Sequence, residues 1–262
     1  MDQHHQLTAA TSAAVKLPKP LHCIVKLGGA AITCKNELET INEENLNIVS
    51  SHLRKAMILG PCHGMDWSKR PGSSEISTVA DDFDDQLESD SKKFIVVHGA
   101  GSFGHFQASK SGVHKGGLSR PLVKSGFVAT RISVTSLNLE VVRALANEGI
   151  PSVGLSPFSC GWSTRERNVR NIRGRYLDSG RSYRRWIHPC GDILTPLEDS
   201  RRRFISPFLL EYTLIVLHGD AVLDSLQGCT TLSGDVIIRH LAEKLRPAYV
   251  VFLVSFLWEI IL

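Results

Sequence analysis

Residues 94–105 read FIVVHGAGSFGH and contain the most informative pattern in this chain of 262 residues. The apolar run at 94–97 predicts a buried strand, because short apolar runs rich in valine are typical of one. Glycines within 99–104 then allow a sharp turn that brings the backbone close to a ligand. Exposed N–H groups in such a turn, at the beginning of a helix, favour an anion. The closing His105 adds a side-chain donor, so the stretch predicts a phosphate site.

Strands and helices alternate on both sides of this stretch. The sequence predicts strands at 22–27, 94–97, 152–155, 214–217 and 249–253, and helices at 45–59, 133–148 and 235–245. Such alternation favours an α/β fold with a mostly parallel central sheet and helices on both faces. Ligands of these sheets bind beyond the carboxyl ends of the strands. Several of the predicted strand ends carry glycines, so we expect the site there.

The composition and charge are those of an ordinary globular protein. Of the residues, 42% are hydrophobic and 21% are charged. The net charge of +4 comes from residues 169–203, where nine arginines stand against four carboxylates. Because the rest of the chain is slightly acidic, the charge gives no case for a nucleic-acid partner. The apolar stretch 249–262 is too short for a membrane span, so we expect no membrane partner either.

The N-terminal segment and the cysteines favour a cytoplasmic protein. Residues 1–20 are polar and lack the apolar core of a signal peptide, so we interpret them as a disordered leader. The six cysteines are scattered, without metal-ligand spacing, which favours reduced thiols.

Other strand ends add groups suited to phosphate chemistry. They read Lys26-Leu27-Gly28-Gly29, His218-Gly219-Asp220 and Ser233-Gly234-Asp235. A lysine beside a glycine turn can place its charge on a transferring phosphate. Asp235 stands at a predicted helix start, where an aspartate is also typical of a simple helix cap. His98 and His218 directly follow apolar strands, and we interpret both as structural. Phosphoryl transfer depends mainly on positioning and charge neutralisation, which this set could supply.

The glycines of residues 99–104 also match the dinucleotide-binding fingerprint. That fingerprint requires an acidic residue about 20 positions further on, but residues 106–137 contain neither Asp nor Glu. Arg120 and Lys124 would suit a 2′-phosphate instead. An NADP-dependent oxidoreductase therefore stays open as a minor candidate.

The ordered set of glycine turns resembles the amino acid kinase superfamily. The string GAGSFGH at 99–105 is similar to that of the isopentenyl phosphate kinases, and the resemblance to their plant form covers about 21–168 and 214–253. It implies a three-layer α/β/α fold and the ATP- and Mg²⁺-dependent phosphorylation of isopentenyl phosphate to isopentenyl diphosphate, for terpenoid synthesis. Relatives are commonly dimers, so a homodimer is the assembly that the resemblance implies. Dimethylallyl phosphate stays open as an alternative acceptor.

The resemblance also implies roles for ten residues. Lys26 would bridge the transferring phosphate oxygens, Asp235 would orient that lysine, and His105 would hydrogen-bond the terminal phosphate of the acceptor. Further backbone positions would line the two phosphate sites: Gly28, Gly29 and Gly101 on the nucleotide side, and Ala100, Gly104, Gly219 and Asp220 on the acceptor side.

Two segments depart from the family pattern. Residues 169–213 form an Arg-rich insert that we predict to be irregular. Residues 254–262 form an aberrant apolar tail, also predicted to be irregular, where the family continues with a long C-terminal half. We interpret both segments as translated non-coding sequence, and assign 21–168 and 214–253 to the truncated kinase domain. Because the family's adenine and ribose pocket lies mostly in that half, we expect weak or no turnover. A non-catalytic protein that keeps the phosphate pocket is the other candidate.

Overall fold

Parallel strands form the middle of the molecule, as the alternation along the chain predicts. The structure is a computed structural model that describes residues 21–57, 92–165, 168–171, 213–255 and 257–261. Within these ranges the strands are β1 (Cys23–Leu27), β2 (Phe94–His98), β3 (Ser152–Leu155), β4 (Trp162–Arg165), β5 (Asn168–Asn171), β6 (Leu214–His218), β7 (Asp220–Asp224), β8 (Gly228–Leu232), β9 (Tyr249–Ser255) and β10 (Leu257–Ile261). The helices are α1 (Gly29–Ile32), α2 (Glu43–Met57), α3 (Gly101–Ser111), α4 (Pro121–Asn147) and α5 (Gly234–Leu245), with a 3-10 helix at Val113–Lys115.

The larger sheet has the strand order β10-β9-β1-β2-β6-β3. Its pairs are parallel except for β10 with β9. In the middle strands, side chains alternate between two buried faces: Ile24 and Ile95 lie in one core cluster, Val25 and Val96 in the other. Strands buried on both faces become nearly continuous apolar runs, which is the pattern that the sequence shows at 94–97.

Helices cover both faces of this sheet. On one face, α2 and α4 contribute side chains such as Leu46 and Leu137. On the other, α5 contributes Ile237 and Leu241, beside a smaller sheet of order β5-β4-β7-β8. Full burial of one such side chain stabilises the fold by about 1.5–3 kcal/mol. The α/β prediction, with helices on both faces of a mostly parallel sheet, is confirmed.

The helix ends follow local sequence signals. Pro121 begins α4, where a helix has no partner for an N–H group in any case. The prediction placed this start at 133, because the exposed Leu122, Val128 and Ile132 obscure the apolar periodicity of the first turns. Ser233 caps α5 by accepting a hydrogen bond from the N–H of Val236 at 3.3 Å. In the ranges described, no helix combines the length and the apolar character that crossing a membrane requires.

Regular structure extends beyond the predicted domain boundaries. β5 pairs antiparallel with β4, so pairing continues to Asn171, past the boundary predicted at 168. The prediction of an irregular tail is wrong for Leu257–Ile261, which pairs antiparallel with β9. An open β9 edge would present unpaired backbone groups, and β10 satisfies them. The predicted leader at 1–20 and the insert at 172–212 lie outside the described residues.

Candidate functional site

Three turns lie side by side where β1, β2 and β6 end. At the beginning of a turn, the glycine N–H continues the hydrogen-bond ladder by donating to the last carbonyl of the neighbouring parallel strand. The Gly99 N–H donates to the Leu27 carbonyl at 2.9 Å, and the Gly219 N–H donates to the His98 carbonyl at 2.9 Å. Because adjacent parallel strands end at one edge of the sheet, residues far apart in sequence meet there.

A cavity of about 970 Å³ opens over these turns. Nine of the ten residues predicted for the site line it: Lys26, Gly29, Ala100, Gly101, Gly104, His105, Gly219, Asp220 and Asp235. Gly28 is not among the lining residues, and its N–H donates to the Leu253 carbonyl of β9 at 2.7 Å. The structure therefore brings nine of the ten residues together at one cavity, while their roles stay predictions.

The glycines at this edge pack against one another. A Cβ atom on Gly29 would lie 2.6 Å from the Cα of Gly101, which is closer than atoms can approach. Gly101 has a φ of +50°, and a Cβ there would lie 2.8 Å from Cγ2 of Thr33. Thr33 in turn accepts from the Ser102 N–H at 3.1 Å and donates to the Gly29 carbonyl at 2.8 Å. Here the glycines join two turns, a packing role that the sequence analysis did not predict.

Lys26 and Asp235 form an ion pair on the cavity wall. The Lys26 Nζ donates to Oδ1 of Asp235, and it lies 5.6 Å from the ring centre of Phe252. The Lys26 side chain is 12% exposed and that of Asp235 is 62% exposed. Since Ser233 is the helix cap, Asp235 stands in the first turn of α5, where the helix dipole favours a negative charge. The ion pair fixes the direction of the Lys26 side chain, while the Asp235 carboxylate stays open to solvent.

Basic side chains and helix N-termini line the cavity. His105 lies on α3, is exposed, and lines the cavity together with Lys35 and Lys110. The first residues of α3 and α5, Gly101 and Gly234, also line it, and helix N-termini attract anions. This arrangement suits a ligand with several phosphate groups. The two lysines were not predicted as site residues, because neither stands beside a glycine turn that follows a strand.

The Asp220 carboxylate is engaged by protein groups. Its Oδ2 accepts from the Ser156 hydroxyl at 2.7 Å and from the Phe158 N–H at 3.2 Å. Its Oδ1 accepts from the Ala221 N–H at 2.8 Å and lies 3.6 Å from Nε of Arg131. Asp220 lines the cavity, and the resemblance implied that it contacts the ligand. These contacts instead favour a structural role, in which Asp220 holds the neighbouring loop in place.

Arg131 is the partner that the sequence analysis did not single out. Its guanidinium lies 3.9 Å from the ring centre of Phe158 and donates to the hydroxyls of Ser156 and Ser159 at 3.3 and 3.2 Å. It lies in the middle of α4, about 90 residues before Asp220, so only the fold brings the two together. Cation–π stacking of this kind contributes about 0.5–2 kcal/mol.

His98 and His218 are buried behind the turns, consistent with their interpretation as structural. Burial, reinforced by the charge of His218 and opposed by a hydrogen bond to the Gly99 carbonyl, lowers the pKa of His98 to about 3. Burial also lowers the pKa of His218, against the opposing effect of the nearby Asp220 carboxylate. Both imidazoles are therefore neutral near pH 7.

A comparison of the sequence with known families fits this geometry. The sequence model of one family, described as the amino acid kinase family, matches residues 22–255 of this chain. The chain belongs to the amino acid kinase family. The matched range includes the turn at 99–104, so that turn belongs to a kinase domain. The interpretation of the turn as a dinucleotide-binding fingerprint is therefore without support.

The proteins similar to this chain include several isopentenyl phosphate kinases. An isopentenyl phosphate kinase of Arabidopsis thaliana is 58% identical over 91% of this chain, and one of Methanothermobacter thermautotrophicus is 28% identical over 87% of it. The chain spans 65% of the length of each of these two relatives. A solved isopentenyl phosphate kinase structure matches 88% of this chain and 70% of its own, with a TM-score of 0.59 and 24% identity. This structural likeness supports the fold.

Proposed function

We propose that this chain transfers the γ-phosphoryl group of ATP to isopentenyl phosphate and forms isopentenyl diphosphate. The observation that carries the proposal is the placement of Lys26, held by Asp235, on the same cavity as His105 and three glycine turns. Its support from outside the structure is the 58% identity to the Arabidopsis isopentenyl phosphate kinase. In such a reaction the protein supplies positioning and charge rather than a nucleophile.

The acceptor would bind at the α3 side of the cavity. The backbone N–H of Ala100 would donate to its phosphate. Gly104 and Gly219, which also line the cavity, would let the phosphate approach closely because they carry no side chain. His105 would donate a hydrogen bond to oxygens that do not attack, since an imidazole offers one or two N–H donors. Lys26 would lie over the transferring group and offset the repulsion between two phosphates. Dimethylallyl phosphate carries the same phosphate group, so the same residues would accept it.

Mg²⁺ would arrive with the nucleotide. In the described ranges, no three His, Cys, Asp or Glu side chains come together as a metal site. Magnesium needs no such cage, because it keeps several waters and binds phosphates with one or two carboxylates. Of the two carboxylates on the cavity, Asp220 is engaged by protein groups and Asp235 is 62% exposed. Asp235 fits as the side chain next to a nucleotide-borne ion, which would supply charge neutralisation between the phosphates.

A homodimer is part of the proposal. The outer side of α4 exposes apolar side chains, among them Leu122, Val128, Ile132 and Leu139. Exposed apolar patches on a single helix are typical of protein interfaces, and two-fold contacts between equal surfaces are the commonest form of oligomer. Light scattering of the purified chain, beside the variant Ile132→Glu, would measure its mass in solution.

The direct test is turnover by the purified 262-residue chain. With ATP, Mg²⁺ and isopentenyl phosphate, we expect isopentenyl diphosphate by mass spectrometry, formed at the low rate that the sequence analysis predicts. The variant His105→Ala should lower kcat/KM about 100-fold, as expected for loss of one donor to a phosphate under attack. His52→Ala, on the distant α2, is the matched control and should leave turnover unchanged.

Each other outcome has its own meaning. Isopentenyl phosphate binding by calorimetry, without transfer, would support the non-catalytic phosphate-binding candidate and the predicted loss of turnover. Equal kinetics of His105→Ala and the unsubstituted chain would remove His105 from the mechanism. Faster turnover with dimethylallyl phosphate would reassign the preferred acceptor.

A further inference from the structure

Two buried histidines occupy matching places behind the cavity. His98 ends β2 and His218 ends β6, and the two are direct partners in the parallel register. Their rings stack with centres 5.7 Å apart, and the residues are 0% and 1% exposed. Each is followed by a glycine, and both of these glycines, Gly99 and Gly219, line the cavity. The histidines themselves are not among its lining residues.

The hydrogen bonds define where each imidazole carries its proton. Nδ1 of His98 lies 2.9 Å from the Gly99 carbonyl, and Nδ1 of His218 lies 3.0 Å from the Gly219 carbonyl. Because a carbonyl oxygen only accepts, Nδ1 must be the protonated nitrogen in both rings. Nε2 of His98 then accepts from Nδ2 of Asn138 at 3.1 Å, and the same amide donates to the Val216 carbonyl at 3.3 Å.

These bonds determine how the turn peptides face. In a trans peptide the carbonyl and the following N–H point in opposite directions. The Gly99 carbonyl is held on the buried side by His98, so the N–H of Ala100 points to the opposite side, where Ala100 lines the cavity. His218 holds the Gly219 carbonyl on the buried side in the same way, although the residue that follows, Asp220, is already paired with Leu232 of β8. The two turns are further joined, since the Gly219 N–H donates to the His98 carbonyl.

We propose that His98 and His218 are positioning residues for phosphate binding. His98 donates its Nδ1–H to the Gly99 carbonyl so that the Ala100 N–H faces the cavity, and His218 holds in the same way the neighbouring turn, whose Gly219 N–H is bonded to the His98 carbonyl. The inference rests on the proposed function, because it concerns the acceptor phosphate of that reaction. It assigns the two histidines a task beyond filling the core. An apolar side chain of the same size would keep the packing but lose the orientation of the peptide.

A pair of amide variants separates orientation from packing. In His98→Asn the amide nitrogen takes the place of Nδ1, whereas in His98→Gln it takes the place of Nε2. We expect His98→Asn to keep the KM for isopentenyl phosphate within about threefold, and His98→Gln to raise it about tenfold, which corresponds to losing one hydrogen bond of about 1 kcal/mol or slightly more. The KM for ATP should stay the same in both. Equal acceptor KM values in the two variants would overturn the proposal.

A second measurement does not depend on turnover. Nitrogen-15 NMR of labelled imidazoles in the unsubstituted full chain should show the Nδ1–H form for both His98 and His218, unchanged between pH 8 and pH 6. The Nε2–H form, or a charged ring, at either position would overturn the inference. Correct tautomers in a chain without kinase turnover would instead contradict the proposed function alone, so the two failures are distinguishable.

Discussion

The polar side chains at this edge of the sheet form two layers with different surroundings. The cavity-facing set comprises Lys26, His105 and Asp235, which line the cavity and include an exposed histidine and a carboxylate that is 62% exposed. The buried set comprises His98, His218 and Asp220, each at most 3% exposed and bonded to backbone groups of the turns. Asp220 also lines the cavity, but protein groups engage both of its carboxylate oxygens. His98 and His105 belong to one stretch of twelve residues, yet they fall into different sets.

The difference between the two sets separates contact with a ligand from control of the backbone. Exposed ionic groups add little to the free energy of unfolding, because water solvates them equally well in the unfolded chain. Buried polar groups affect stability strongly, because removing a partner leaves a desolvated group behind. We therefore expect substitutions in the first set to change turnover and those in the second to change stability as well.

The largest effect on turnover should follow from Lys26→Met. Loss of the charge on the transferring phosphate should lower kcat about 1,000-fold, which is about 4 kcal/mol. The free energy of unfolding should change by less than about 1 kcal/mol, because the partner Asp235 is exposed. Steady-state kinetics and urea unfolding of the same sample measure both quantities.

Lys55→Met is the matched control for this prediction, because Lys55 is exposed on α2 and is not among the residues that line the cavity. It should leave kcat unchanged. A kcat for Lys26→Met within threefold of the unsubstituted chain would break the distinction between the two sets.

The buried set should respond in stability, and Asp220→Asn is its sharpest test. The substitution removes the negative charge that faces Arg131. It also replaces one carboxylate oxygen, which accepts hydrogen bonds, with an amide NH₂ group, which donates them. We expect a loss of about 3 kcal/mol in the free energy of unfolding, in the range for breaking a buried ion pair. Glu140→Gln, in the surface pair with Arg143, should cost less than about 0.5 kcal/mol by the same urea titration. Similar losses in both variants would contradict the assignment of Asp220 to the buried set.

Acidification should also act through the buried set, with a smaller effect. The pKa of His98 is about 3 in the folded protein and 6.5 ordinarily, so the unfolded chain binds more protons between these values. Stability is therefore complete above pH 6.5 and is lost as the pH falls toward 3. From pH 7.5 to pH 5, His98 alone should cost about 2 kcal/mol.

Urea unfolding across this pH range measures the acid effect. The variant His98→Asn, which lacks an ionisable group at this position, should show a shallower dependence on pH. An unchanged slope in that variant would show that His98 is not the group responsible.

Much of the fold follows from local sequence. The apolar runs before Gly28, Gly99 and Gly219 predict β1, β2 and β6, because only strands covered on both faces are apolar throughout. β10 was missed because pairing with β9 is a property of the open sheet edge and not of residues 257–261 alone. The first half of α4 was missed because its outer side is apolar and hides the helical period.

The sequence by itself determined which strand ends carry lysine, histidine, aspartate and glycine, and the parallel order that brings them to one edge. The tertiary structure alone decided which distant side chains each of them meets. Asp220 reads like a ligand-binding residue, yet Arg131 reaches it from α4 and engages its charge. The sequence predicts a structural His98 and a phosphate-facing His105, and the structure gives the physical reason, because one ends a covered strand while the other lies on a helix beside the cavity. Burial and hydrogen-bond partners depend on distant parts of the chain, so the local sequence pattern does not predict them.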